Sequence, residues 1–447
     1  MSDPGPSHRK PVHRIANLVS DQSQDLWELS LDDARARLLA DDPAGVLDIA
    51  GSFALVARDG DTVRLARSLD RPLRYFLAKE VAGPLLVVAE RIDAIREYLE
   101  GEGYGNQFHP SYTRMVPAHH VTTLRLIGCP DPNPVHRRFF APERATGPAD
   151  REALGRAYIG ALLGEIDRWL DAVPDGEPLG VLFSGGVDSG AVLLGVHHLL
   201  LRRGQSPARL KAFTLDVEEG ADARQAEAFL RRTGLEMLGE PLRVPLEALD
   251  PLDAVRVIED YKPRDVECAT VGLALLRAIR ERYPAWRLLV DGDGGDENLK
   301  DYPIEENPEL TIRSVVSNAM LYQEGWGVDA IKHSLTYSGG QSRGCVRTWA
   351  PARELGFRSF SPFTRPSVIA AAEAIPFAEL TDGDHERLYS LKGDLVGRGV
   401  AHHLGVEMPT FPKRRFQEGA VAADAFRRLF PGREGAYRAA FLGLHER

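Results

Sequence analysis

The chain has 447 residues, of which 43% are hydrophobic and 27% charged, an ordinary composition for a soluble protein of two or three domains. A formal net charge of −10 argues against a nucleic-acid partner, because that binding is driven by neutralising phosphates. No membrane association is expected either: the most apolar segment, 191–201, is too short to span a bilayer and is interrupted by His197 and His198. Cys129, Cys268 and Cys345 lie far apart without a CxxC pair. They fit a reduced, cytoplasmic setting and small buried roles better than a disulfide framework or a zinc site.

In chain order, residues 1–20 are expected to be a flexible tail, since the first fourteen are polar and carry three prolines. Residues 47 to about 125 are expected to be β-rich, with strands over 47–57, 63–66, 74–77 and 85–89, punctuated by the turn 58–61, Pro72 and Gly83-Pro84. A helix follows over 91–100. Five prolines between 128 and 149 suggest a linker or an extended crossing segment. From Asp150 the texture becomes helices alternating with apolar strands at 179–184, 210–215, 238–244 and 287–290, the pattern of a parallel α/β domain. Beyond about 310 the chain reads as mostly helical.

The most informative segment is Val181-Leu-Phe-Ser-Gly-Gly-Val-Asp-Ser189. An apolar strand ends in Ser184-Gly185-Gly186, and Asp188-Ser189 opens a helix-length run. Two glycines let the backbone approach a ligand, and a helix start offers unpaired N–H groups to an anion. Ser184 and Ser189 add hydroxyls, and Asp188 stands where it could hold magnesium bridging phosphate oxygens. The spacing is not that of the Walker loop. A Gly-rich turn with no ligand would look similar.

A second strand-and-glycine turn is Leu288-Leu-Val-Asp-Gly-Asp-Gly-Gly-Asp-Glu297. Its four carboxylates within seven residues repel one another unless a cation sits among them. The alternatives are an Asp/Gly-rich surface turn, or magnesium-pyrophosphate shared with the first loop; the EF-hand pattern is absent. A third element, Pro412-Lys-Arg-Arg-Phe-Gln-Glu-Gly-Ala420, carries three consecutive basic residues that suit a solvated face or an anion contact.

The loop Ser184–Ser189 resembles the SGGxDS loop of the ATP pyrophosphatases, and the three elements together resemble the asparagine synthetase class B family, which includes β-lactam and carbapenam synthetases. Asp291–Glu297 matches the family's second loop, followed by Tyr302. Ser361-Pro-Phe363 stands at its V-P-F segment, and Lys413 with Phe416 and Glu418-Gly419 at its C-terminal lysine motif. Gly51-Ser-Phe-Ala-Leu55, Ala66-Arg67, 70–75 and 88–90 resemble its glutaminase domain.

This resemblance implies a parallel-sheet ATP-pyrophosphatase (adenine nucleotide α hydrolase-like) synthetase domain over 146–447. It also implies a truncated Ntn-hydrolase-like domain over 21–145, lacking the nucleophile because the chain starts Met1-Ser2 and its first cysteine is Cys129. ATP and Mg2+ are the implied cofactors. Val181, Ser184, Gly185, Gly186, Asp188, Ser189, Gly292 and Gly294 are the implied nucleotide contacts, with Asp188 and Asp296 as magnesium ligands. Lys413 would stabilise developing negative charge, and Asp293 would handle the incoming nitrogen's proton.

The implied activity is AMP- and pyrophosphate-forming amide ligation, in specialised metabolism, of a small-molecule or peptide carboxylate with ammonia or an amine. A lactam-forming cyclase and a non-catalytic nucleotide-binding partner are the competing readings. Asp293 stands where the β-lactam formers have tyrosine, which weakens ring closure. Arg358 falls near a position usually held by glutamate and would read an anionic substrate group. Related enzymes often form homodimers.

Overall fold

In the computed structural model the described residues are 14–80, 83–126, 133–301, 304, 311–317, 346–412, 416–430 and 434–445. They fall into two compact units that change over between Ala141 and Pro142.

Short strands with period-two apolar patterning build the first unit. These are β1 (Arg14–Asn17), β2 (Asp25–Trp27), β3 (Ala50–Ser52), β4 (Ala54–Asp59), β5 (Thr62–Arg67), β6 (Arg74–Glu80), β7 (Gly83–Ala89), β8 (Arg114–Met115), β9 (His120–Arg125) and β10 (Val135–Arg138). One sheet has the order β1-β7-β6-β8, a second β10-β9-β5-β4, and β2 pairs with β3. Alternation along β7 explains the layering. Leu86 and Val88 share a core with Val63, Leu65 and Leu124 of the other sheet. Leu85, Val87 and Ala89 instead pack with Ile95 and Leu99 of helix α2 (Ile92–Gly101), while α1 (Leu31–Leu39) lies against β4.

Two expectations are corrected here. Residues from Arg14 on are not the expected flexible tail, because Arg14–Asn17 pairs in parallel with β7 in the register Arg14↔Leu85. Ala16 and Val19 are buried, and Arg14 is tied to Glu80 and Glu102 at 3.0 and 2.6 Å, so burial and ion pairing outweigh the polar, Pro-rich flank. The segment expected as a linker contains β10, antiparallel to β9. Pro134 is compatible with this because β10 is an edge strand and the proline precedes it.

The second unit is organised by a five-stranded, wholly parallel sheet: β11 (Leu179–Leu182), β12 (Leu210–Asp216), β13 (Gly239–Arg243), β14 (Leu288–Val290) and β15 (Arg358–Phe360). Its order is β13-β12-β11-β14-β15. Parallel neighbours need long crossovers. Helices α3 (Arg151–Asp171), α4 (Val187–Arg202), α5 (Ala221–Thr233), α6 (Pro251–Ile258) and α7 (Pro263–Arg282) lie before and between the first four strands. One face buries Phe213, Leu215, Leu275, Ile279 and Leu289 together. Near β15, Trp169 of α3 stacks on Phe360 with centroids 5.1 Å apart, and Tyr158 on Phe363 at 5.9 Å.

Because β12 and β14 flank β11 on opposite sides, the order reverses beside β11. Ligands of open parallel sheets bind in the crevice outside the carboxyl ends at such a reversal. β15 interrupts the stretch expected to be helical; at three residues it is too short to leave a periodic trace. No helix among the described residues is long and apolar enough to cross a membrane.

Candidate nucleotide site

The two glycine turns leave neighbouring strands at this reversal. After β11 the chain turns through Gly185 (φ +73°), a left-handed conformation that suits glycine. A Cβ there would also lie 2.7 Å from the Ala226 nitrogen of α5. Gly186 caps α4 without a side-chain partner, so the first N–H groups of a 16-residue helix open onto the loop. The Ser189 hydroxyl accepts from the Ser184 N–H at 3.3 Å and lies 3.3 Å from the Ser184 hydroxyl. Both serines thus belong to the turn, and Val181 lies wholly buried in the sheet beneath it.

The second turn packs directly on the first. A Cβ on Gly292 would stand 2.9 Å from the Ser189 nitrogen, and one on Gly295 would collide with the Asp188 carboxylate. Gly294 (φ +105°) caps the short helix α8 (Gly295–Asn298). Asp291 is buried and accepts from the Ser361 hydroxyl at 2.9 Å and from the Asp293 N–H at 2.9 Å. Ser361-Pro-Phe363 therefore reaches this turn, and the Phe363 carbonyl accepts from Asn298 at 2.9 Å. The Asp293 carboxylate accepts from the Thr348 hydroxyl at 2.8 Å, and Arg347 pairs with buried Glu297 at 2.7 Å. Loss of solvation raises the Asp293 pKa against the opposing pull of Arg347 and Thr348.

The strongest electrostatic feature was not anticipated. Lys392, in helix His385–Leu404, is buried, and its ammonium meets Asp188 at 2.5 Å, Asp301 at 3.4 Å and, closely, Asp296. Burial alone would lower its pKa, but the three carboxylates together raise it well above the ordinary value. The two side chains expected to ligate magnesium are thus brought together across both turns, around a resident cation.

Hard carboxylate oxygens thus converge on one positive centre. Magnesium at phosphate sites takes one or two carboxylates and fills its remaining positions with water and phosphate oxygens, so Asp188 and Asp296 fit it in that mode. No group of three or more His, Cys, Asp or Glu among the described residues could hold a metal by itself.

Other expected residues are placed less centrally. Lys413 and Tyr302 lie outside the described residues, as do Cys129 and Cys345. The segment following Lys413 is anchored, however: Val421 bridges in parallel to Val217, and the Val217 N–H donates to the Ala420 carbonyl at 3.1 Å, just past the carboxyl end of β12. Removal of the Cys268 thiol from water pushes its pKa up to about 11, which suits an inert role.

The expectation for Arg358 is corrected. It opens β15 in register with Leu288, is exposed, and acts on Glu177, which precedes β11. It therefore sits toward the amino ends of the strands, away from the turns. Its place near a position usually held by glutamate in the family suggested the site, but strand polarity carries it to the other end of the sheet.

Comparison with known proteins agrees with this geometry. No curated protein matches the chain. Residues 171–343 match the family described as asparagine synthase, a span that includes both glycine turns. Two interlocking glycine turns at the reversal of a parallel sheet lie inside that matched span, so residues 171–343 form an asparagine synthase-like domain, the kind found in ATP-dependent ligase-type enzymes.

Proposed function

We propose that the chain is an AMP-forming amide ligase. A substrate carboxylate oxygen attacks the α-phosphorus of ATP, the bond to pyrophosphate breaks, and an acyl-adenylate remains. Ammonia or an amine then attacks the acyl carbon, the bond to AMP breaks, and the nitrogen gives up a proton. The observation that carries this reading is the packing of Gly292 and Gly295 onto Ser189 and Asp188, which makes one cradle from two strand ends.

Within that cradle the residues divide the work. The first N–H groups of α4, with the Ser184 and Ser189 hydroxyls, suit the pyrophosphate oxygens. Asp188 and Asp296 would hold magnesium, which when bound neutralises charge on the phosphates. Asp293, with a raised pKa and a fixed rotamer from Thr348, suits acceptance of the proton from the attacking nitrogen. Lys413 is taken as the cation that stabilises charge developing on the adenylate as nitrogen attacks.

ATP–pyrophosphate exchange across a panel of carboxylates tests the first half-reaction. Exchange with at least one carboxylate is expected, and none across a broad panel counts against adenylation. Lys413→Ala should cut amide formation by about 10²–10³-fold while nucleotide binding persists. Equal loss of both would remove Lys413 from the chemistry.

A further inference from the structure

The three carboxylates around Lys392 come from three places: Asp188 from the first turn of α4, Asp296 from α8, and Asp301 from just beyond it. The lysine comes from a fourth, a helix fixed in the core by Leu388, Leu391, Leu395 and Val396. That helix packs on α3 and α4. The ammonium is therefore delivered by a rigid element and is not a flexible surface group that happens to fold inward.

Two consequences follow from geometry and charge. The ammonium occupies the space between Asp188 and Asp296, so a divalent ion drawn to the same pair would compete with it for their oxygens. Formally, three carboxylates around one ammonium leave two negative charges, too few ligands and too little charge to hold a bare hard cation that must also shed water. A metal that brings phosphate oxygens with it needs only one oxygen from each aspartate. Lys392 can then keep Asp301, the least exposed of the three.

We propose that Lys392 is a positioning residue that holds Asp188 and Asp296 together in the absence of nucleotide and keeps a bare divalent ion out, so that metal enters only with nucleotide. This rests on reading the two turns as a nucleotide site. It predicts a gain of metal binding on losing a positive charge, which a merely structural lysine would not give.

The test is Mn2+ uptake, read from the electron paramagnetic resonance signal of free Mn2+, by the full chain without nucleotide. Lys392→Met should bind Mn2+ at least tenfold more tightly than wild type, and Lys392→Arg should remain as metal-poor as wild type. If Lys392→Met does not fold, Lys392→Met with Asp301→Asn removes one charge of each sign and serves in its place. Uptake by wild type as tight as by Lys392→Met would overturn the proposal, and so would uptake by neither. Equilibrium dialysis of Mn2+ with ATP against wild type, which reads only what the protein retains, separates this from the nucleotide reading. Wild type that takes up no Mn2+ with ATP speaks against the nucleotide site, whereas the nucleotide-free comparison reads Lys392 alone.

Discussion

Both units bury charge, and they do it in opposite ways. In the first, Arg67 donates to the carbonyls of Val116 and Arg71 at 2.7 Å each and to that of Leu69 at 3.2 Å. Arg71 donates to Glu90 at 2.8 Å and to the carbonyl and hydroxyl of Ser23, each at 2.8 Å. Buried positive charge there is enclosed by carbonyl oxygens and one carboxylate. In the second unit Asp188, Asp291, Asp293, Asp296, Glu297 and Asp301 gather at two strand ends. Among the described residues, Lys392 and Arg347 are the cations paired with them.

The difference teaches what each cluster is for. A cation enclosed by fixed carbonyls and one carboxylate serves to lock a loop. Carboxylates gathered in one place, by contrast, repel one another and cost free energy that positive charge offsets.

The contrast can be broken most severely at Arg71. Arg71→Met leaves Glu90 beside a cluster of carbonyls, and the unfolding transition of the first unit should lose about 3–5 kcal/mol in urea melts. A loss under about 1 kcal/mol would mean that the arginine is not the lock proposed. Gly295→Ala sharpens the other side. Its methyl collides with Asp188, so stability should fall by about 1–3 kcal/mol and the nucleotide-dependent thermal shift should vanish. Retention of that shift would show that the two turns need not interlock. Arg358→Ala should do least, changing stability by no more than about 0.5 kcal/mol and leaving substrate KM unchanged, because the residue is exposed near the amino ends of the strands. A large rise in KM would restore it to the substrate site.

The glycine turns were legible in the sequence because their signal is local: strand, two glycines and a helix start within nine residues. The parallel sheet was legible for a similar reason, through apolar runs spaced by helix-length segments. Lys392 was not, since a lysine on a helix ordinarily means a solvated face. Its one clue was its place in the stripe of Leu388, Leu391 and Leu395, where a core residue belongs. Thr348 and Arg347 meet their partners across 55 and 50 residues of chain, a separation no local pattern encodes. β10 and β15 were missed because pairing partners, and not their own composition, make them strands.

The central claim is that the acidic cluster at the strand ends is a magnesium-nucleotide site. Thermal stability with and without magnesium-ATP, on wild type and on Asp188→Ala, addresses it most directly. At about 100 times its dissociation constant the ligand should add roughly 2.7 kcal/mol to wild type, only when magnesium is present, and nothing to the variant. An equal shift in both proteins, or none in wild type, would contradict it.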